Sequence, residues 1–101
     1  MTKHVIETVL FKLEDGVSQE DFIDAARAMG PFVESQPGFV LRRLSRTEDG
    51  TWIEHIEWES LQHAKNAAAA VGAATAARPF LGAINAPSIK MMHSDLEISL
   101  N

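Results

Sequence analysis

The chain has no cysteine and no tyrosine in its 101 residues. Without cysteine there is no disulfide frame, no thiolate nucleophile and no thiolate metal site. Without tyrosine, any phenolic proton relay is excluded. Positive charge is scarce: 9 Lys and Arg stand against 14 Asp and Glu, a net charge of −5. No basic stripe interleaved with aromatics is present, so nucleic acid is not an expected partner. No apolar run approaches a membrane span of about 20 residues, and no membrane association is expected. The opening MTKHVIETVLFKLED has one short apolar run broken by Glu7 and does not read as a leader. The expectation is a soluble cytoplasmic protein. The four histidines show no local spacing typical of a metal site, so no metal is expected. The length suits one domain over residues 1–101. A domain of this size buries only about two-thirds of its unfolded surface.

What is present is organised around Gln36 to Ser60, QPGFVLRRLSRTEDGTWIEHIEWES. Asp49-Gly50 is a two-residue hairpin signal, because a type I′ turn needs positive φ at both central positions. That loop would pair Glu48 with Thr51, Arg43 with Ile56, Arg42 with Glu57 and Leu41 with Trp58. Side chains alternate faces along a strand. One face would then hold Phe39, Leu41, Arg43, Trp52, Ile56 and Trp58, suited to packing under helices. The other would hold Val40, Arg42, Leu44, Ile53, His55 and Glu57. A slip of one residue would flip a whole strand.

The rest follows in chain order. His4 to Leu13 reads as a strand ended by the Glu14-Asp15-Gly16 turn signal. Val5, Val9, Phe11 and Leu13 share one face, and Ile6 and Leu10 the other, so both faces call for burial. Ser18 caps a first helix whose stripe is Phe22, Ile23, Ala26, Met29 and Val33. Gly30-Pro31 should kink or break it. Ser60 caps a second, alanine-rich helix, which Arg78-Pro79 should end or bend. Phe80 to Ile84 suggests a short extra helical turn plugging the core. Ser88 to Leu100 reads as the last strand. The order β-α-β-β-α-β is the ferredoxin-like plan, an α+β fold with a four-stranded antiparallel sheet and helices on one face. Right-handed crossovers put strands one and three in the centre. One layer of helices leaves the second face of strand one bare, and a second copy of the chain is the simplest cover.

Four features then carry a family resemblance: VLFKLEDGVSQEDF, QPGF before strand two, the DGTW hairpin, and WES before the alanine-rich helix. In this order they resemble the dimeric α+β barrel superfamily, closest to the antibiotic-biosynthesis-monooxygenase-like and stress-responsive barrel proteins. The resemblance implies a homodimer closed through the open sheet faces. It also implies a pocket between sheet and helices or inside the barrel. Two functions follow from the resemblance as expectations, neither with a cofactor. One is a small cofactor-independent enzyme, oxygenase or isomerase, acting on a small hydrophobic or aromatic metabolite. The other is a non-catalytic small-ligand-binding or stress-response barrel. Haem degradation fits poorly, because strand one lacks an asparagine and the second helix lacks a tryptophan.

Oxygenation without a cofactor requires a pocket that deprotonates the substrate and stabilises its anion. The expected catalytic residues are His55, His93 and Arg42: histidine moves protons near neutral pH and arginine holds an anionic oxygen. Glu57, Glu7 and Trp52 are the expected substrate-binding residues. Each has a plainer role open to it. Arg42 and Glu57 would also serve as a cross-strand ion pair. His55 and His93 would also serve in packing, and Trp52 in the core. Glu7, if it faces inward, needs a partner, and a hairpin arginine is the expected one. His4 is expected at the rim of strand one and His63 on the exposed face of the second helix.

Overall fold

A computed structural model describes residues 3–101 of the chain. The elements are β1 (Val5–Phe11), α1 (Gln19–Ala28), α2 (Gly30–Glu34), β2 (Phe39–Arg46), β3 (Trp52–Trp58), α3 (Leu61–Ala73), α4 (Arg78–Gly82) and β4 (Lys90–Asp95). The strands form one antiparallel sheet in the order β2-β3-β1-β4. β1 and β3 are central, as right-handed crossovers require. The fold is the expected ferredoxin-like α+β plan. Among the described residues no helix is long and apolar enough to cross a membrane.

The helices begin and end where local chemistry dictates. The Ser18 hydroxyl accepts from the Asp21 amide at 3.0 Å, satisfying one of the free amides of the first turn of α1. Pro31 lies in the first turn of α2, where its missing amide costs nothing, so the chain breaks into two helices around Met29. The alanine-rich helix α3 stops at Ala73, and a 3₁₀ turn, Thr75–Ala77, carries the chain into α4. β4 is shorter than the expected last strand: it ends at Asp95, and residues 96–101 extend beyond the ladder.

The core lies between the helices and one face of the sheet. Phe22 is fully buried. Its ring lies 4.8 Å from that of Trp52, 5.1 Å from Phe80 and 5.6 Å from Phe11. Offset or edge-on aromatic pairs of this kind contribute about 0.5–1.5 kcal/mol each beyond their area. Ala64 and Ala67 are buried on α3, and their small side chains let the helix approach the sheet closely. The plug from Phe80 to Ile84 behaves as expected, with both end residues buried.

The hairpin differs from expectation by one residue. The Thr47 amide donates to the Thr51 carbonyl at 2.8 Å, and the Gly50 amide donates to the Thr47 carbonyl at 3.1 Å. The loop is therefore the three residues Glu48, Asp49 and Gly50: a type I turn followed by a left-handed glycine. Within this loop only Gly50 takes positive φ, at 87°, and among the described residues no non-glycine residue does. A type I′ turn would force Asp49 there as well. Instead the Asp49 carboxylate accepts from the Thr47 hydroxyl and from the Thr51 amide, which lowers its pKa. The extra loop residue moves every β2 partner by one: Arg42 faces Ile56, Arg43 faces His55 and Leu44 faces Glu54. A bulge at Val40 then restores the phase, so Phe39 faces Trp58 and packs edge-on against it at 5.9 Å.

Candidate functional site

The register shift separates residues expected together. β3 presents Trp52, Glu54, Ile56 and Trp58 to the helices and Ile53, His55 and Glu57 to the open face. β2 follows its partners, so Arg42 and Leu44 turn toward the helices while Leu41 and Arg43 turn away. Arg42 thus lies on the opposite side of the sheet from His55 and Glu57. The expected Arg42–Glu57 pair does not form, and these three residues build no common pocket wall. On the open face Glu57 bonds instead to His4, with Nδ1 to Oε2 at 2.6 Å, and His55 lies between Thr8 and Arg43.

Arg42 is engaged on the helix side. Its Nε and one terminal nitrogen donate to both oxygens of Glu54, at 3.0 and 2.7 Å. The other terminal nitrogen donates to the Ala26 carbonyl at 2.8 Å, and the guanidinium lies 5.6 Å from the centre of the Phe80 ring. Burial pushes the Glu54 carboxyl above its ordinary value. The Arg42 charge and hydrogen bonds pull it down, the nearby Glu7 charge adds to the rise, and the net direction is upward. Glu54 was not singled out from the sequence. A signal existed: on the two-residue period of Trp52, Ile56 and Trp58, it is the one carboxylate among aromatic and aliphatic side chains.

Between this face of the sheet and α2, α3 and α4 lies a cavity of about 210 Å³. Its walls are mostly apolar, with Val9 and Ile56 on the floor and Val33, Ala67, Val71 and Phe80 above. Two buried carboxylates reach it, Glu7 and Glu54, diagonal neighbours across β1 and β3. Glu54 is held by Arg42. Glu7 faces inward, and its partner is not the expected hairpin arginine: Oε1 accepts from the Trp58 indole at 2.9 Å. That is its one hydrogen bond among the described residues, so it keeps acceptor capacity toward the cavity.

The remaining expected residues fall outside this cavity. His93 lies opposite Glu7 across β1 and β4, on the same face of the sheet, but its side chain is exposed on the edge strand. Trp52 is 5% exposed and belongs to the aromatic core. His63 is half-buried rather than exposed: the Ser60 hydroxyl meets its Nδ1 at 2.7 Å and its ring packs against Gly38. Among the described residues no three His, Asp or Glu side chains come together as a metal site would need.

No protein-family model and no curated protein matches the sequence. Solved structures do match the fold. A point variant of SnoaB, a cofactor-independent oxygenase from Streptomyces nogalater, superposes with a TM-score of 0.78 at 18% identity, covering 98% of each chain. A presumed antibiotic biosynthesis monooxygenase from Bordetella bronchiseptica gives 0.79 at 13% identity, covering 96% of this chain and all of its own. A monooxygenase from the ActVA-Orf6 gene of Streptomyces coelicolor, in complex with nanaomycin D, gives 0.73 at 16% identity over 98% of this chain and 92% of its own. The chain therefore has the ferredoxin-like α+β fold of antibiotic-biosynthesis-monooxygenase domains. Identities this low establish the fold and leave the chemistry to be argued from the cavity.

Proposed function

We propose that this protein is a small oxygenase-like enzyme. It acts without a bound metal or organic cofactor on a hydrophobic or aromatic metabolite seated between the sheet and the helices. The observation that carries this reading is the apolar cavity with Glu7 at its floor, a carboxylate with one indole partner and room for another hydrogen bond. Two of the fold neighbours are described as a cofactor-independent oxygenase and as a monooxygenase bound to nanaomycin D, which supports the reaction class. The volume of about 210 Å³ is below the range of about 300–1,000 Å³ usual for drug-sized ligands. It suits a substrate of one or two rings.

In this scheme Glu7 removes a proton from an acidic C–H or O–H of the substrate. The Trp58 indole holds the carboxylate in place. The electron-rich anion reduces molecular oxygen and recombines with it as a peroxide. Collapse of the peroxide leaves a carbonyl on the substrate and releases the second oxygen as water. The substrate is the reductant and oxygen the oxidant, so the electrons balance without a cofactor. Arg42 acts indirectly, by holding Glu54 beside the site. In this reading His93, opposite Glu7 on β4 and exposed outside the cavity, exchanges protons with solvent.

The open face of the sheet, with Ile6, Leu10, Leu41 and Ile53, is proposed to meet the same face of a second copy and close a barrel. A second reading, a non-catalytic ligand-binding barrel, is favoured by one observation: neither His55 nor His93 lines the cavity. Oxygen uptake and quinone absorbance over a panel of one- and two-ring hydroquinones and anthrone-type compounds separate the two. The oxygenase reading expects turnover that falls about 10²- to 10⁴-fold in Glu7→Gln, with ligand binding retained. Binding without oxygen uptake across the panel would give the function to the second reading. Full activity in Glu7→Gln would remove Glu7 from the mechanism.

A further inference from the structure

A second, larger concavity lies on the other side of the Arg42–Glu54 pair. It is an open groove of about 450 Å³ between α1 and β2. Its apolar part is Ile23, Leu44 and Trp52; its polar part includes three arginines, Arg27, Arg42 and Arg46. In a chain of net charge −5 this is a local reversal of sign. Arg42 is spent on Glu54 and Ala26, but the other two are not. The ion pairs among the described residues use Lys3, His4, Lys12 and Arg42 as their cations. Arg27 and Arg46 take part in none, and Arg46 donates a single hydrogen bond, to the Thr47 carbonyl at 3.1 Å. A guanidinium carries five N–H donors in a fork that matches carboxylate and phosphate oxygens. Arg27 also suits the C-terminal end of α1. That placement gives a reason for Arg27 but none for Arg46 or for the apolar surface between them.

We infer that this groove binds a small organic anion, a carboxylate or phosphate joined to an apolar or aromatic body. The anion lies on Arg27 and Arg46, and the body lies over Ile23, Leu44 and Trp52. A body on the apolar surface displaces water around the charged head, which strengthens the arginine contacts. A head without a body gains only screened surface attraction, and a body without a head gains only area. The site stands apart from the Glu7 cavity and does not depend on the reaction proposed for it.

Titration calorimetry and ¹H–¹⁵N NMR of the full chain test this with three probes: phenyl phosphate, inorganic phosphate and phenol. Phenyl phosphate is expected to saturate with Kd of about 1 mM or tighter and to shift the Trp52 indole and the Arg46 amide. Inorganic phosphate, which lacks the body, and phenol, which lacks the charged head, should each bind at least about tenfold more weakly, since burying an aromatic body and forming a charged hydrogen-bond pair each contribute at least about that factor. Arg27→Ala with Arg46→Ala, both at exposed positions, should lose the phenyl phosphate shifts while the fold's spectrum persists. Glu7→Gln should leave them intact. Unchanged binding in the double arginine variant, or no saturable shift in the wild type, would overturn the proposal. So would sedimentation with phosphatidylserine vesicles that needs these arginines while phenyl phosphate does not bind, because that result would assign them to a lipid surface.

Discussion

Removing Arg42 is the sharpest perturbation the structure offers. The Arg42 and Glu54 side chains are 14% and 7% exposed, so solvent can replace little of what either loses. Arg42→Met keeps an unbranched aliphatic stem but removes the guanidinium that binds Glu54 and lies over Phe80, leaving Glu54 desolvated and without its cation. Breaking a buried pair from one side costs about 3–5 kcal/mol, out of a total of about 5–15 kcal/mol for a domain. At about 4–8 °C per kcal/mol for a domain near this size, the melting temperature should fall by at least about 12 °C. The loss should depend on pH, and the sign is fixed. Burial raises the Glu54 pKa in the folded state above its ordinary 4.5, so the folded protein binds the proton more tightly than the unfolded chain. Stability contributed by such a group is greatest below 4.5 and falls as pH rises through the raised value. Without Arg42 the rise is larger, so Arg42→Met should be least harmful in mild acid and most harmful near neutrality. Adding Glu54→Leu should recover most of the loss, because a buried pair replaced by apolar groups is often neutral or stabilising. Urea denaturation of the wild type, both single variants and the double variant across pH measures all of this. A loss below about 1 kcal/mol at neutral pH, or a loss that does not change with pH, would refute the assignment of this pair as a buried ion pair.

Three further outcomes follow from the packing. Gly38 has φ +82° and a Cβ there would run into the His63 ring, so Gly38→Ala should lower stability by about 2–4 kcal/mol in a denaturant titration, from backbone strain and overpacking together. Phe22→Ala empties the centre of the aromatic cluster and should cost about 3–5 kcal/mol, read from the same titration. Light scattering at micromolar concentration should report a dimer if the open face of the sheet is covered by a second copy; a clean monomer would end the barrel reading.

Much of the fold was legible because it rests on local rules. Ser18 and Ser60 announce helix starts through hydroxyls that cap free amides. Pro31 and Pro79 sit in the first turns of α2 and α4, where a missing amide is tolerated. The alternation of β1 correctly divides Val5, Val9 and Phe11 from Ile6 and Leu10, and the order of elements leaves few topologies. The candidate site was less legible. Asp49-Gly50 permits both a two-residue and a three-residue loop, and the choice rests on bonds between Thr47, Asp49 and Thr51. That choice decided which side of the sheet Arg42 would occupy, and with it which of its possible carboxylate partners it would meet.

The sequence by itself determined the elements and their order, because caps, breaks and two-residue alternation act over a few neighbouring residues. Tertiary structure alone decided that Arg42 would bind Glu54 rather than Glu57, that Trp58 would hold Glu7, and that a cavity would open beneath α3. Those outcomes depend on register between strands and on the approach of a helix to a sheet. Both are set by the sum of distant contacts, where a shift of one residue exchanges the two faces of a strand.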